Sequence, residues 1–77
     1  MRETIRRFIE VELLAGQPVE DDEDLLIGGS VDSLGVMRLV AFIEATFGLR
    51  VPAGDVRLPN FATVDAITAY LERRTTE

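Results

Sequence analysis

The stretch GGSVDSLGVMRLVAFIEATFG, residues 28–48, decides the fold. Two glycines and two serines precede a strongly periodic run. At 100° per residue Val36, Val40, Ile43 and Phe47 fall in a narrow sector with Leu39 at its border, which is the pattern of a helix with one face in a core. The spacing predicts a helix from about residue 32 to Phe47, with Gly48 as the residue just past its end and Pro52 forbidding much continuation. Leu34, Met37 and Ala41 lie on nearly the opposite side, flanked by Arg38, Glu44 and Ala45. A helix packed on one side only has no use for Leu and Met there. Either another element covers this second stripe or it is an exposed patch for partners, and its place beside Ser33 favours the patch.

The start of this helix offers two caps. The Asp32 carboxylate would leave Ser33 at the first helical position, where backbone N–H groups are unpaired and the dipole is positive; Ser30 is the rival cap. An anionic group such as a phosphate joined to Ser33 would sit where helix termini favour anions. Gly35, in the first turn, gives up about 1 kcal/mol of helix propensity relative to Ala. The compensation expected from the sequence is clearance for a bulky group on Ser33 or for an approaching enzyme.

Outward from this core helix, two more stretches are periodic. In residues 2–15, Ile5, Phe8, Ile9 and Leu13 line one face, with Glu3–Arg7 and Arg6–Glu10 spaced as i,i+4 ion pairs, and Gly16 and Pro18 close the helix. A last helix begins near Thr63, a good N-cap, and sets Val64, Ile67 and Leu71 on one stripe with Tyr70 beside it. Asp65 in its first turn and Arg73 and Arg74 in its last suit the helix dipole. Residues 49–62, broken by two prolines and a glycine, leave room for at most one short helical turn. The connection from Gly16 to Val31 is long for so small a unit. Leu25, Leu26 and Ile27 are expected to plug it into the bundle while the acidic run at 20–24 forms a solvated loop.

Composition narrows the chemistry. Seventy-seven residues, 47% apolar, suffice for one small helical unit with a modest core. The chain has no Cys, His or Lys, so thiolate, imidazole and Schiff-base catalysis are excluded and an autonomous hydrolase or zinc enzyme is not expected. A net charge of −6 repels nucleic-acid phosphates and anionic lipid, pointing to basic partner proteins. The start, MRETIRRFIE, has no apolar signal region, and the longest apolar run, residues 39–43, is far too short for a bilayer. A cytoplasmic, monomeric protein with no nucleic-acid or membrane partner is the expectation.

The ordered set of motifs is similar to a known family. Asp-Ser-Leu at 32–34 opening a helix, Phe-Gly at 47–48 closing it, Val-Pro at 51–52 and Thr-Val at 63–64 starting the last helix together resemble the phosphopantetheine-dependent acyl and peptidyl carrier proteins. The likeness covers essentially the whole chain, residues 1–77, as one carrier domain. It implies an all-α four-helix bundle of three longer helices and one short, with a long first loop. It implies a 4′-phosphopantetheine arm on Ser33, with Asp32 in the attachment motif. A magnesium-dependent phosphopantetheinyl transferase would move the arm from coenzyme A, and the arm's terminal thiol would hold an acyl or aminoacyl group as a thioester. A non-catalytic role follows: the cofactor supplies the reactive group and the protein presents it. Leu34, Met37, Arg38 and Ala41 are the candidate partner surface.

The resemblance also speaks to subclass. Carriers of primary fatty-acid synthesis have a strongly acidic helix after the serine; here Gly35 and Arg38 stand where acids are usual, and Glu44 is the only acid past the cap. This pattern looks closer to discrete carriers served by a dedicated adenylating ligase and then by a synthase or transferase. The initial Met and short tail fit a freestanding protein. The competing expectation is a cofactor-free helical interaction module in which Ser33 only helps to cap the helix.

Overall fold

The structure is a computed structural model that describes residues 1–75; Thr76 and Glu77, part of the expected 1–77 unit, lie outside the described residues. Four α-helices are found among the described residues and no strand: α1, Arg2–Phe8; α2, Ser33–Phe47; α3, Leu58–Phe61; and α4, Val64–Thr75. The radius of gyration is 11.3 Å. A close-packed chain of this length has one of about 11 Å, so the long first loop lies against the bundle instead of trailing from it.

Helix α1 does not continue as α-helix to residue 15. From Ile9 to Leu13 it widens into a π-helical turn, with the Leu14 N–H donating to the Ile9 carbonyl at 2.9 Å. Ile5 and Ile9 are fully buried, and both Leu13 and Leu14 pack on the core from this widened end. Ala15 and Gly16 then take positive φ values of 54° and 89°, and the Gly16 N–H closes the end on the Glu10 carbonyl at 2.7 Å.

The expected i,i+4 ion pairs of this helix are replaced by an i,i+3 pair and by tertiary ones. Arg6 pairs with Glu3 one turn back and with Asp21 at 2.5 Å, and Arg2 pairs with Asp21 and Asp65. The Glu10 carboxylate instead accepts the Val19 N–H at 2.8 Å. The part-buried Val19 N–H has no backbone acceptor among the described residues and takes that carboxylate, while Arg6 is held by Glu3 and Asp21. The Asp65 side chain raises the Arg2 guanidinium above its ordinary value, and Asp21 does the same for Arg6. The acidic run is therefore only partly a solvated loop: Asp21 ties it to α1, while its carbonyl accepts the Asp65 N–H at the start of α4.

The plug in this loop also differs from expectation. Leu25 is buried and its N–H donates to the Ala62 carbonyl at 2.7 Å, but Leu26 is half-buried and Ile27 is 77% exposed. Asp24 explains the turn outward, because its carboxylate accepts the N–H groups of both Leu26 and Ile27. Val19 and Val31, both buried, complete the anchoring.

In α2 the buried line is Gly35, Leu39 and Ile43, with Val36, Val40 and Phe47 half-buried. Leu39 thus stands at the centre of the core face and not at its border. The rotation brings Phe42 against Phe8, their rings stacked at 4.2 Å. Gly48 ends the helix in the left-handed region at φ 66°, as a residue without Cβ does at low cost.

Residues 49–62 hold two turns where one was expected: a 3₁₀ turn at Ala53–Asp55 and α3 itself. The prolines start these turns. Pro52 precedes the first, and Pro59 lies in the first turn of α3, where its missing N–H has no bond to make. Thr63 caps α4 through its Oγ1, which accepts the Ala66 N–H at 2.9 Å. Val64, Ile67, Tyr70 and Leu71 are buried as expected, and Thr68 joins them by donating its hydroxyl to the Val64 carbonyl. The Tyr70 hydroxyl donates to Asp55 at 2.6 Å, fastening α4 to the 3₁₀ turn that leads into α3.

Candidate functional site

At the start of α2, Asp32 is the cap: extended in backbone (φ −93°, ψ −176°), it accepts the Gly35 N–H on Oδ1 at 2.8 Å, while its carbonyl accepts the Val36 N–H. Ser30 stays in the preceding loop and takes no part. Ser33 is therefore the first helical residue. Its side chain is exposed and its hydroxyl bonds no described residue. The N–H groups of Ser33 and Leu34 have no acceptor one turn back, which leaves partial positive charge beside that oxygen.

Gly35 is not there for clearance. It is buried, and a Cβ on it would stand 2.9 Å from Cγ1 of Val31 and 3.4 Å from the capping oxygen of Asp32. Its missing side chain lets the loop residue Val31 close onto the first turn of α2. The glycine thus sets the angle at which the chain enters the helix and presents Ser33, although it faces away from the solvent side of that serine.

The second apolar stripe of α2 is uncovered. Leu34 is 66% and Met37 68% exposed, and Ala41 is also exposed. Met37 forms one wall of an open groove of 630 Å³ that begins at Ser33; Val36 shares that wall, and Val56, Arg57 and Leu58 stand opposite. Sequence reasoning missed the far wall. The available signal was the apolar pair Val56 and Leu58 around a basic residue in a segment too short to need three such side chains for its own packing.

Arg38 lies on the other flank. Its guanidinium donates to the Glu12 carbonyl at 3.3 Å and faces the Glu12 carboxylate at 3.5 Å, with half of its side chain still in solvent. Of the sequence-predicted residues, the structure brings together Asp32, Ser33 and Met37 on the groove and sets Arg38 apart from it.

Chemically, this is a serine presented and not activated. Asp32 is committed to the helix end, and no imidazole, thiol or amine side chain exists in the sequence to take the hydroxyl proton. The oxygen is suited to receive a group delivered by another protein. A phosphodiester on it fits the surroundings: the oxygen is clear of packing, the helix start favours an anion, and the adjacent groove offers apolar walls to a long flexible chain.

A small helical bundle that displays one unactivated serine at a helix start, beside an uncovered apolar stripe, has the construction of a carrier, a protein that holds a group for others to act on. Comparison with known proteins gives the family. The profile described as "Phosphopantetheine attachment site" matches residues 1–71, and the chain belongs to that family, whose prosthetic group is 4′-phosphopantetheine and whose members are non-catalytic carriers. It is similar to proteins named D-alanyl carrier protein from Streptococcus pyogenes serotype M5 (strain Manfredo), serotype M49 (strain NZ131) and serotype M1. Each is 37% identical over 51 residues, which cover 66% of this chain. The match spans 65% of the length of these relatives, just under two thirds. No helix among the described residues is long and apolar enough to cross a membrane.

Proposed function

We propose that Ser33 is the oxygen that receives the phosphopantetheine arm, and that this chain, as a single carrier unit, holds an acyl or aminoacyl group for partner enzymes. The observation that carries the reading is the exposed, unbonded Ser33 hydroxyl at the first position of α2, with Asp32 doing the capping in its place. When bound, the arm supplies a terminal thiol on which the group is carried as a thioester. The protein's own part is presentation. Because the chain offers no base, the serine proton leaves to the phosphopantetheinyl transferase as the oxygen bonds the phosphorus that carries the arm and the pyrophosphate of coenzyme A breaks, with adenosine 3′,5′-bisphosphate departing.

The partners on this reading are that transferase, a dedicated adenylating ligase and a downstream synthase or transferase. Leu34, Met37 and Ala41 give them an apolar contact beside the arm, and Arg38 a single cationic one. The first turn of α2 carries no acidic side chain, which supports a dedicated ligase over the basic enzymes of fatty-acid synthesis. The relatives' name makes D-alanine the first amino acid to try. The reading places the chain, as a monomer, in the cytoplasm alongside the coenzyme A that supplies the arm.

The test is where the adduct falls. After incubation with coenzyme A, magnesium and a broad-specificity transferase, tandem mass spectrometry is expected to find one phosphopantetheine on Ser33. An adduct on Ser30 would overturn the assignment.

A further inference from the structure

The groove that begins at Ser33 contains one basic side chain, Arg57. Of the eight arginines in the sequence, Arg2 and Arg6 are held by Glu3, Asp21 and Asp65, and Arg38 by Glu12. Arg73 donates to Asn60 and lies over the Tyr70 ring, and Arg74 donates to the Arg50 carbonyl. Arg57 is different. Its backbone is pinned at the start of α3, the N–H donating to Asp55 at 2.9 Å and the carbonyl accepting from Asn60 and Phe61. Its guanidinium is exposed and pairs with no described residue.

The only acid on the groove's lining is Asp32, which is committed to the Gly35 N–H. A chain of net charge −6 thus leaves an anchored arginine unpaired on the same groove as its exposed serine.

We infer that Arg57 is the counter-ion of the phosphodiester on Ser33, drawing the arm across the groove from α2 toward α3. The inference rests on the carrier reading of Ser33. A phosphodiester carries one negative charge at neutral pH and at this position stands next to the Asp32 carboxylate, so the N–H groups of the helix start have two anions to serve. Arg57 supplies the missing cation, and its planar fork suits two phosphate oxygens. Arg38 does not compete, since it shares the smaller 260 Å³ pocket on the other flank of Asp32 and is turned to Glu12. Both partners are solvated, so the pair biases the arm by about two- to fivefold and weakens with salt.

The experiment uses the wild-type chain converted to its phosphopantetheine form by transferase and coenzyme A, without any carried group, so that the only new anion is the phosphodiester. In ¹H–¹⁵N spectra the Arg57 Nε–H is expected to shift on conversion and to return toward its starting position in roughly 0.5 M NaCl. Contacts between the arm's methyl groups and Val56 or Leu58 should fall two- to fivefold in Arg57→Gln and recover in part in Arg57→Lys. Arg50→Gln removes the same charge beyond the far end of α2, roughly 22 Å of helix away, and should leave those contacts unchanged. An unmoved Arg57 signal in fully converted protein, or equal losses in the two glutamine variants, overturns the inference and leaves the carrier reading standing. Absence of an adduct on Ser33 overturns the carrier reading itself and the inference with it.

Discussion

Gly35→Ala separates the two explanations of the glycine beside Ser33. If the residue served only to leave space in solvent, alanine would stabilise the helix by up to about 1 kcal/mol through propensity. The structure predicts the reverse. The new methyl would stand 2.9 Å from Cγ1 of Val31, a β-branched side chain that is buried and has little rotamer freedom with which to yield. Overpacking of this kind costs about 1–3 kcal/mol, so after the propensity gain a net loss of up to about 2 kcal/mol remains. For a domain of this size that corresponds to a melting point lower by up to roughly 15 °C, read by circular dichroism. A double-mutant cycle isolates the cause: in a Val31→Ala background the same Gly35→Ala step should become neutral or stabilising, a coupling of about 1 kcal/mol or more. A higher melting point for Gly35→Ala in the wild-type background would refute the packing argument and restore clearance as the glycine's role.

Three further outcomes are expected. Asp32→Ala removes the α2 cap and should cost about 1 kcal/mol, whereas Asp32→Asn should keep most of it, as compared by urea denaturation. Tyr70→Phe deletes the hydroxyl that donates to the Asp55 carboxylate and should destabilise by about 1.5–3 kcal/mol, the range for a bond to a charged acceptor. For Arg2 and Arg6, the folded state raises the guanidinium above its unfolded value. Their stabilisation is therefore complete at any pH below the unfolded value and is lost only as pH rises through the still higher folded one, far into alkali. Thermal melts should accordingly show no pH-dependent change from these two groups between neutrality and pH 9, while Arg6→Gln should lower the melting point at low salt by more than it does in roughly 1 M NaCl.

Local signals made much of this legible in the sequence. The end of α2 follows from a Gly after a periodic run and its start to within the choice of Asp32 or Ser30 as cap, and the apolar stripe of Leu34, Met37 and Ala41 follows from helical spacing, which leaves open whether another element covers it. What needed coordinates was tertiary. Arg6 chooses Asp21 over Glu10 because a loop with no periodicity of its own folds back against α1, and Glu10 is free to serve Val19. The face of α2 is turned toward Leu39 because Gly35 admits Val31 and because Phe42 finds Phe8, contacts between residues far apart in the chain. Arg57 escaped notice because its short helix, with Pro59 in its first turn, reads as a break. The choice between Asp32 and Ser30 as cap rested on backbone geometry that neither residue type dictates.

On the proposed function, one hydroxyl, and not the bundle's shape alone, makes this chain a carrier. Intact-mass analysis of wild type, Ser33→Ala and Ser30→Ala after transferase treatment tests it most directly. Ser33 makes no side-chain bond to a described residue, so its alanine variant should melt with the wild type and any loss of labelling reports chemistry. The expected result is one phosphopantetheine on wild type and on Ser30→Ala and none on a folded Ser33→Ala; labelling that survives in Ser33→Ala would contradict the claim.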